Sequence, residues 1–349
     1  MNRSTSTVGG VLIALFTFAS FANAQKDLPD TIGEIVWHKK NFEKVVPKGT
    51  KIEVLAGGFE WSEGPVFVPS RNEVLFSDIP NNMIVRWKVG DKGKTSTFLK
   101  PSGYTGEAKF TGTEPGTNGL MLDKKGTLYM CCHGDRCIKK IVDGKPVVVV
   151  DKFEGKRFNS PNDLVFHKNG DLYFTDPPYG LPKRYDDPGR ELDWCGVYRY
   201  SKGKVTLLTK EMTRPNGIAF SPDFKTLYAA QADPKAAIWK SFPVKEDGTL
   251  GESKLLFDAT EWVGKEKGLP DGMVVDKAGR IWATGPGGVL VFNKKGKLIG
   301  QLNTKEATAN CTFGNDGYLY ITADMYFCRV KTNVGKLGKN KKKSPKKKD

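Results

Sequence analysis

One short β-type segment recurs six times along the 349-residue chain: EVLFSD (73–78), GTLYMC (126–131), GDLYFTD (170–176), KTLYAA (225–230), GRIWAT (279–284) and GYLYIT (317–322). Their Leu or Ile residues, at 75, 128, 172, 227, 281 and 319, lie 53, 44, 55, 54 and 38 residues apart. Repetition at such a period marks stacked supersecondary units, none of which can bury its apolar face alone. The runs are short, aromatic or β-branched, and bounded by Gly, Asp, Asn or Lys, which is the pattern of strands. Each is preceded, across a turn such as DKKG, HKNG or GNDG, by another apolar strand, and followed by a third and usually a fourth. Six repeats of four strands predict an all-β fold, a six-bladed β-propeller with four-stranded antiparallel blades. The sixth repeat lacks a fourth strand of its own. The segment KIEVLAG (51–57) is expected to supply it, closing the ring and covering a sheet edge.

The propeller is expected to span 51–330, after a lead-in at 25–50. Residues 1–24 read as a signal peptide, with Arg3, an apolar run over 11–21 and the small-residue cleavage site Ala22-Asn23-Ala24. That run is shorter than the roughly 20 residues a membrane span needs, so a periplasmic or secreted protein without a span is expected. Residues 331–349 hold nine Lys and one Asp, half of the formal net charge of +16, and read as a disordered, solvated tail able to contact anionic surfaces. The remaining core carries no nucleic-acid module, and no specific nucleic-acid partner is expected. A monomer is expected. The six Cys are allowed to pair in an exported protein, but a domain of this size has core enough without bridges. Mostly buried thiols are expected, with room for one or two disulfides.

The residue ahead of each first strand can be read in register. The series is Glu63 (SEGP), Asn118 (GTNG), Asn162 (SPND), Asn216 (RPNG), Asp271 (LPDG) and Asn310 (ANC). The first strand of a propeller blade lines the central channel, so these six side chains should converge at one face. Two carboxylates and several amide oxygens, without Cys or His, form a hard oxygen cage suited to Ca²⁺ and more weakly to Mg²⁺ or Mn²⁺. Without a cation, Glu63 and Asp271 would repel each other and one pKa should rise. For any single Asn or Asp, turn formation before a strand is the competing reading. The segments after the second strands should bring Asp78, Asn82, His133, Asp176, Tyr179, Gln231 and Asp233 to the rim. Arg157 should enter from another loop, and residues 102–117 could cover the opening. Of the three His, only His133 falls near this pocket, for acid/base work or a structural hydrogen bond. GxSxG, HExxH and DxDxDG motifs are absent from the sequence.

The ordered series SEGP, KRFNSPND, TDPPYG, RPNGIAFSPD and LPDGMVVD resembles the senescence marker protein/gluconolactonase family, over about residues 55 to 330. SDIPNN and GVYRY fit its bacterial gluconolactonase branch. The resemblance implies a propeller with one catalytic divalent cation, most often Ca²⁺, with Mg²⁺, Mn²⁺ or Zn²⁺ as alternatives. By position, Glu63, Asn216 and Asp271 match the metal ligands, Asn162 a further Asn on metal or substrate, and Arg157 a sugar-contacting Arg. Cys132 departs from the pattern, since relatives often carry an acidic residue beside His133.

The expected chemistry is therefore metal-assisted hydrolysis of a sugar lactone. The cation would polarise the carbonyl, and Asp271 would act as general base toward water. Asn118, Asn162 and Arg157 would hold sugar hydroxyls, with His133 and Tyr179 at the rim. Two other readings stay open: phosphotriester hydrolysis on the same kind of calcium cage, and a non-catalytic binding propeller stabilised by metal.

Overall fold

The computed structural model describes residues 28–91 and 93–334, so the segment read as a signal peptide and nearly all of the Lys-rich tail lie outside the described residues. Six antiparallel sheets are arranged as the blades of a propeller. Blade 1 is Ser62–Val68, Glu73–Asp78, Met83–Lys88 and Thr95–Leu99, and each later blade repeats this inside-to-outside order. The innermost strands of blades 2 to 6 are Thr117–Leu122, Leu164–Phe166, Pro215–Phe220, Met273–Val275 and Thr308–Phe313. Each innermost strand packs on those of both neighbouring blades, closing a ring.

Closure follows the expected route. Ile52–Gly57 pairs antiparallel with Tyr326–Lys331 as the outer strand of blade 6, so the last blade is built from both ends of the chain. Lys331, assigned from sequence to the tail, thus ends a strand. The lead-in is also structured. Thr31–Ile32 adds a fifth strand to blade 6 and Glu34–Val36 a fifth to blade 5. Phe42, in the short helical turn Lys40–Lys44, is buried against Gly300 of blade 5, where any Cβ would strike its ring. These additions cover outer edges that would otherwise offer unpaired backbone groups.

The apolar core is distributed. Among the described residues there are six buried clusters, one between each pair of neighbouring blades. Successive side chains of a strand point to opposite faces, and here both faces are buried. Leu172 and Phe174 pack toward blade 2, while Tyr173 between them packs toward blade 4. That is why the second strands read as unbroken aromatic and aliphatic runs. Within the clusters the rings meet at several angles, as where Phe76 stacks on Phe327 at 4.6 Å and Trp87 meets the same ring at 63°. All six cysteines are buried and unbridged. Among the described residues no helix is long and apolar enough to cross a membrane.

Candidate active site at the channel mouth

Four of the six leading residues, Asn118, Asn162, Asn216 and Asp271, line one cavity of about 390 Å³ at the channel mouth, together with Trp61, Glu114, Tyr179, Arg184 and Arg214 among others. Glu63 lies buried beneath it, and Asn310 is buried beside Glu63. At Glu63, Asn118, Asn216 and Asn310 the leading residue sits in a break in strand pairing. The ladder between first and second strands slips at Glu63/Val66, Thr117/Leu120, Pro215/Ile218 and Thr308/Asn310. Such bulges redirect a side chain and sharpen the local twist. The Glu-Gly and Asn-Gly pairs that look like turns in sequence are therefore bulges at the head of a strand. Their glycines permit the inner strands to touch: a Cβ at Gly64, whose φ is +53°, would overlap the carbonyl of Asn118 in the next blade.

The ring's chemistry is that of acceptors in excess. Glu63 Oε2 accepts the backbone N–H of Gly64 and, at 3.1 Å, Nδ2–H of Asn310. Glu63 and Asp271 are in hydrogen-bonding contact with each other. Yet Glu63 Oε1, Asn118 Oδ1, Asn162 Oδ1 and Asp271 Oδ1 are buried without any hydrogen-bond partner. Buried acceptors without partners are costly and rare, and four on one ring of side chains, three of which line the same cavity, call for a donor or a cation. Burial, and then the charges of Asp163 on Glu63 and of Glu63 on Asp271, push both carboxyls upward from the ordinary range. Asp163, beside Asn162, is buried in the channel and pushed up to about 7 by desolvation, although the N–H groups of Leu164 and Ile218 donate to it at 2.9 and 3.2 Å.

The neighbouring motifs hold this ring in place. In blade 3, Asp176 at the end of TD accepts the N–H groups of Asn159 and Ser160 at 2.9 and 2.8 Å. Ser160 Oγ donates to Pro177 O at 2.6 Å and accepts Gly180 N–H at 2.8 Å. NSPND and TDPPYG thus clamp one another just ahead of Asn162. The device repeats in blade 1, where Asp78 accepts from Glu60 and Trp61, and in blade 4, where Gln231 accepts from Thr213 at 2.9 Å. Each time the first donor stands three residues before the ring residue. Hydroxyls then tie blade to blade: Ser77 Oγ donates to Asn118 O at 2.8 Å and Thr175 Oγ1 to Asn216 O at 2.7 Å.

Several residues expected at the rim serve this scaffold instead. Asp78, Asp176 and Gln231 are buried clamps. Asn82 Oδ1 takes the N–H groups of Ser102, Gly103 and Tyr104, anchoring the segment that carries Glu114 to the cavity. Asp233 accepts Thr213 Oγ1 at 2.6 Å. His133 is fully buried behind the ring, with Nδ1 3.1 Å from Glu114 Oε2, as a close contact and not an aligned hydrogen bond, and Nε2 3.5 Å from Asn162 Nδ2. It touches Asn162 and does not line the cavity. Tyr179 does line it. Arg157 does not: it is exposed in the small hairpin Lys152–Phe153/Lys156–Arg157, with Nη2 on Asp135 O at 3.1 Å. The arginines that reach the cavity are Arg184 and Arg214. Asn310, the sixth residue of the series, is the partner of Glu63. Asp163, Glu114, Arg184 and Arg214 had not been singled out. Only Asp163 and Arg214 had a signal, as neighbours of ring residues.

Residues 61–324 match the family model described as SMP-30/gluconolactonase/LRE-like region. A gluconolactonase of Zymomonas mobilis is 38% identical over 339 residues, covering 93% of both chains. A pentonolactonase of Haloferax volcanii is 24% identical over 270 residues, 74% of this chain and 80% of that one. Among solved structures, a gluconolactonase of Xanthomonas campestris superposes with a TM-score of 0.74 at 28% identity, covering 87% of this chain and 97% of the other.

Proposed function

The chain belongs to the SMP-30/gluconolactonase/LRE-like family of hydrolases, and from that premise we propose that it opens a sugar lactone at a divalent cation held by Glu63, Asn162, Asn216 and Asp271. The observation that carries the reading is the set of buried oxygens without partners, three of them on the proposed holders Glu63, Asn162 and Asp271 and a fourth on Asn118; Asn216 joins the holders by its equivalent place on the cavity wall. Two carboxylates and neutral amides, with no sulfur or imidazole among them, fit Ca²⁺ first and Mg²⁺ or Mn²⁺ after it. Such a cation, when bound, supplies the positive charge that lets Glu63 and Asp271 stay ionised side by side and that polarises a lactone carbonyl.

The protein's own groups do the rest. Asp271 lines the cavity with one carboxylate oxygen free of hydrogen bonds, so it can take a proton from an attacking water. Asn310 fixes one oxygen of Glu63 and leaves the other without a hydrogen-bond partner. Asn118 and Tyr179, both on the cavity wall, can bond the hydroxyls of a polyol ring. Trp61 gives the wall an apolar face that a sugar ring can cover. The clamps on the segments before Glu63, Asn162 and Asn216 keep these groups from moving during the reaction, which is what proximity catalysis requires.

The test is metal analysis of the purified protein with a pH-stat assay on a panel of aldonolactones, before and after chelation. Lactone opening that is lost on chelation and restored by Ca²⁺ is expected. Cleavage of a fluorophosphate with no lactone opened would replace this reading by phosphotriester hydrolysis. Tight metal binding without turnover of either would leave a binding propeller.

A further inference from the structure

The cavity at the channel mouth continues past Arg214. Next to it lies a second cavity of about 440 Å³, and three stretches of chain line both. Tyr179 and Arg184 line the first and Tyr185 to Cys195 the second; Asn216 lines the first and Lys210 to Thr213 the second; Ala232 lines the first and Asp233 the second. Arg214 belongs to both walls. Its guanidinium lies 5.2 Å over the Tyr185 ring and has no ion pair or hydrogen bond among the described residues. Arg184, by contrast, is held by Glu114 at 3.2 Å. A free, planar set of donors therefore stands at the junction of the two cavities.

The second cavity is equipped for a polyhydroxylated ring. Trp194 is fixed by its Nε1–H on Tyr198 Oη at 2.9 Å, and Lys210 Nζ lies 5.1 Å over the indole. Tyr185 is fixed by its hydroxyl on Thr213 O at 3.2 Å and carries Arg190 at 5.5 Å as well as Arg214 over its ring, so Trp194 is the ring that offers the stacking surface. Around the indole stand exposed end groups of both signs, Asp193 and Lys210. The CH face of a pyranose buries apolar area on such a ring, and its hydroxyls donate charge-assisted hydrogen bonds to a carboxylate and accept them from an ammonium. The wall sets three acids, Asp193, Glu211 and Asp233, against three bases, Arg190, Lys210 and Arg214, so it offers a neutral ligand polar partners of both kinds and gives no net attraction to an ion of either sign. A single six-carbon lactone has room enough in the first cavity alone.

We propose that the second cavity receives the second sugar of a glycosyl-substituted aldonolactone, so that the natural substrate class is the lactone of a disaccharide or longer oligosaccharide. This rests on the lactonase reading above. The bond broken is the ester C–O of the lactone ring: water's oxygen joins the carbonyl carbon, the ring oxygen leaves as a hydroxyl carrying a proton, and the glycosidic bond stays intact.

The experiment compares glucono-1,5-lactone with the β-1,4-linked disaccharide lactone, cellobiono-1,5-lactone, by pH-stat above the spontaneous rate. The disaccharide lactone is expected to have a kcat/KM about tenfold higher or more, mainly through KM. Trp194→Ala and Lys210→Ala should each pull that ratio toward one. Lys210 is exposed, so its variant tests the inference even if Trp194→Ala folds poorly. A ratio at or below one in the unaltered protein, or the unaltered ratio in both variants, overturns the inference. If neither lactone is opened, the lactonase reading falls with it; if gluconolactone is opened without preference for the disaccharide, only the inference falls.

Discussion

Gly217 lies against the backbone of Asp271, so close that a Cβ on Gly217 would overlap the Asp271 carbonyl oxygen. The residue after one ring amide thus sets how near the next blade's carboxylate can come. Replacing Gly217 by Ala must push blades 4 and 5 apart, because the obstacle is backbone and cannot rotate away. Overpacking of this kind costs about 1–3 kcal/mol. Gly217→Ala is expected to lower the melting temperature and to cut lactone hydrolysis more than its stability loss accounts for. An unchanged melting temperature with full activity would show that the ring tolerates a wider spacing.

Asp271→Asn should keep the fold, since the amide is nearly isosteric and removes one of the three repelling buried carboxyls of the channel. With cation saturating, kcat is expected to fall by about 10²-fold or more, the range for a lost general base. Full activity with the cation still bound would remove Asp271 from the role of base.

Arg157 and Asn118 make an opposed pair. Arg157→Ala alters an exposed side chain away from the cavity and should change kcat/KM by less than about twofold. Asn118→Ala removes an amide on the cavity wall and should raise KM by about tenfold, the weight of one good hydrogen bond to a substrate hydroxyl. Steady-state kinetics on one lactone suffices. A large effect at Arg157 would mean that its hairpin folds over the bound substrate.

The contrast between those two residues shows what can be read from a chain of this kind. The propeller and its closure by residues 51–57 were legible because strand order repeats and because blade 6 lacked an outer strand. The converging ring was legible for the same reason: Glu63, Asn118, Asn162, Asn216 and Asp271 hold one register position in successive repeats. Side chains outside the repeat were not. Arg157 stands five residues before Asn162, but its direction is set by a local hairpin that no periodicity encodes. Glu114 and Arg184 reach the cavity from irregular segments whose path depends on hydrogen bonds such as those of Asn82. Asp78, Asp176 and Gln231 were seen as polar residues on the right face, but whether a carboxylate meets a ligand or the backbone of the preceding loop is decided by tertiary distance.

The strongest dependence on solution conditions should lie in the channel acids. In the cation-free protein Glu63 and Asp271 have carboxyl pKa values above their ordinary range, and Asp163 is pushed up to about 7, burial being the first cause for each. A carboxyl whose folded pKa exceeds its unfolded one binds its proton more tightly when folded. Its contribution to stability is complete below the unfolded pKa, near 4, and is lost as pH rises through the folded value. Chelator-treated protein should therefore become less stable from about pH 5 to pH 8, with the melting temperature falling by roughly 5 °C or more. A bound divalent cation replaces the protons, so Ca²⁺ should stabilise more at pH 8 than at pH 5. Differential scanning fluorimetry at the two pH values, with and without Ca²⁺, checks the sign. A calcium shift larger at pH 5 would show that the channel acids are already ionised without the cation, against the burial seen around Glu63 and Asp271.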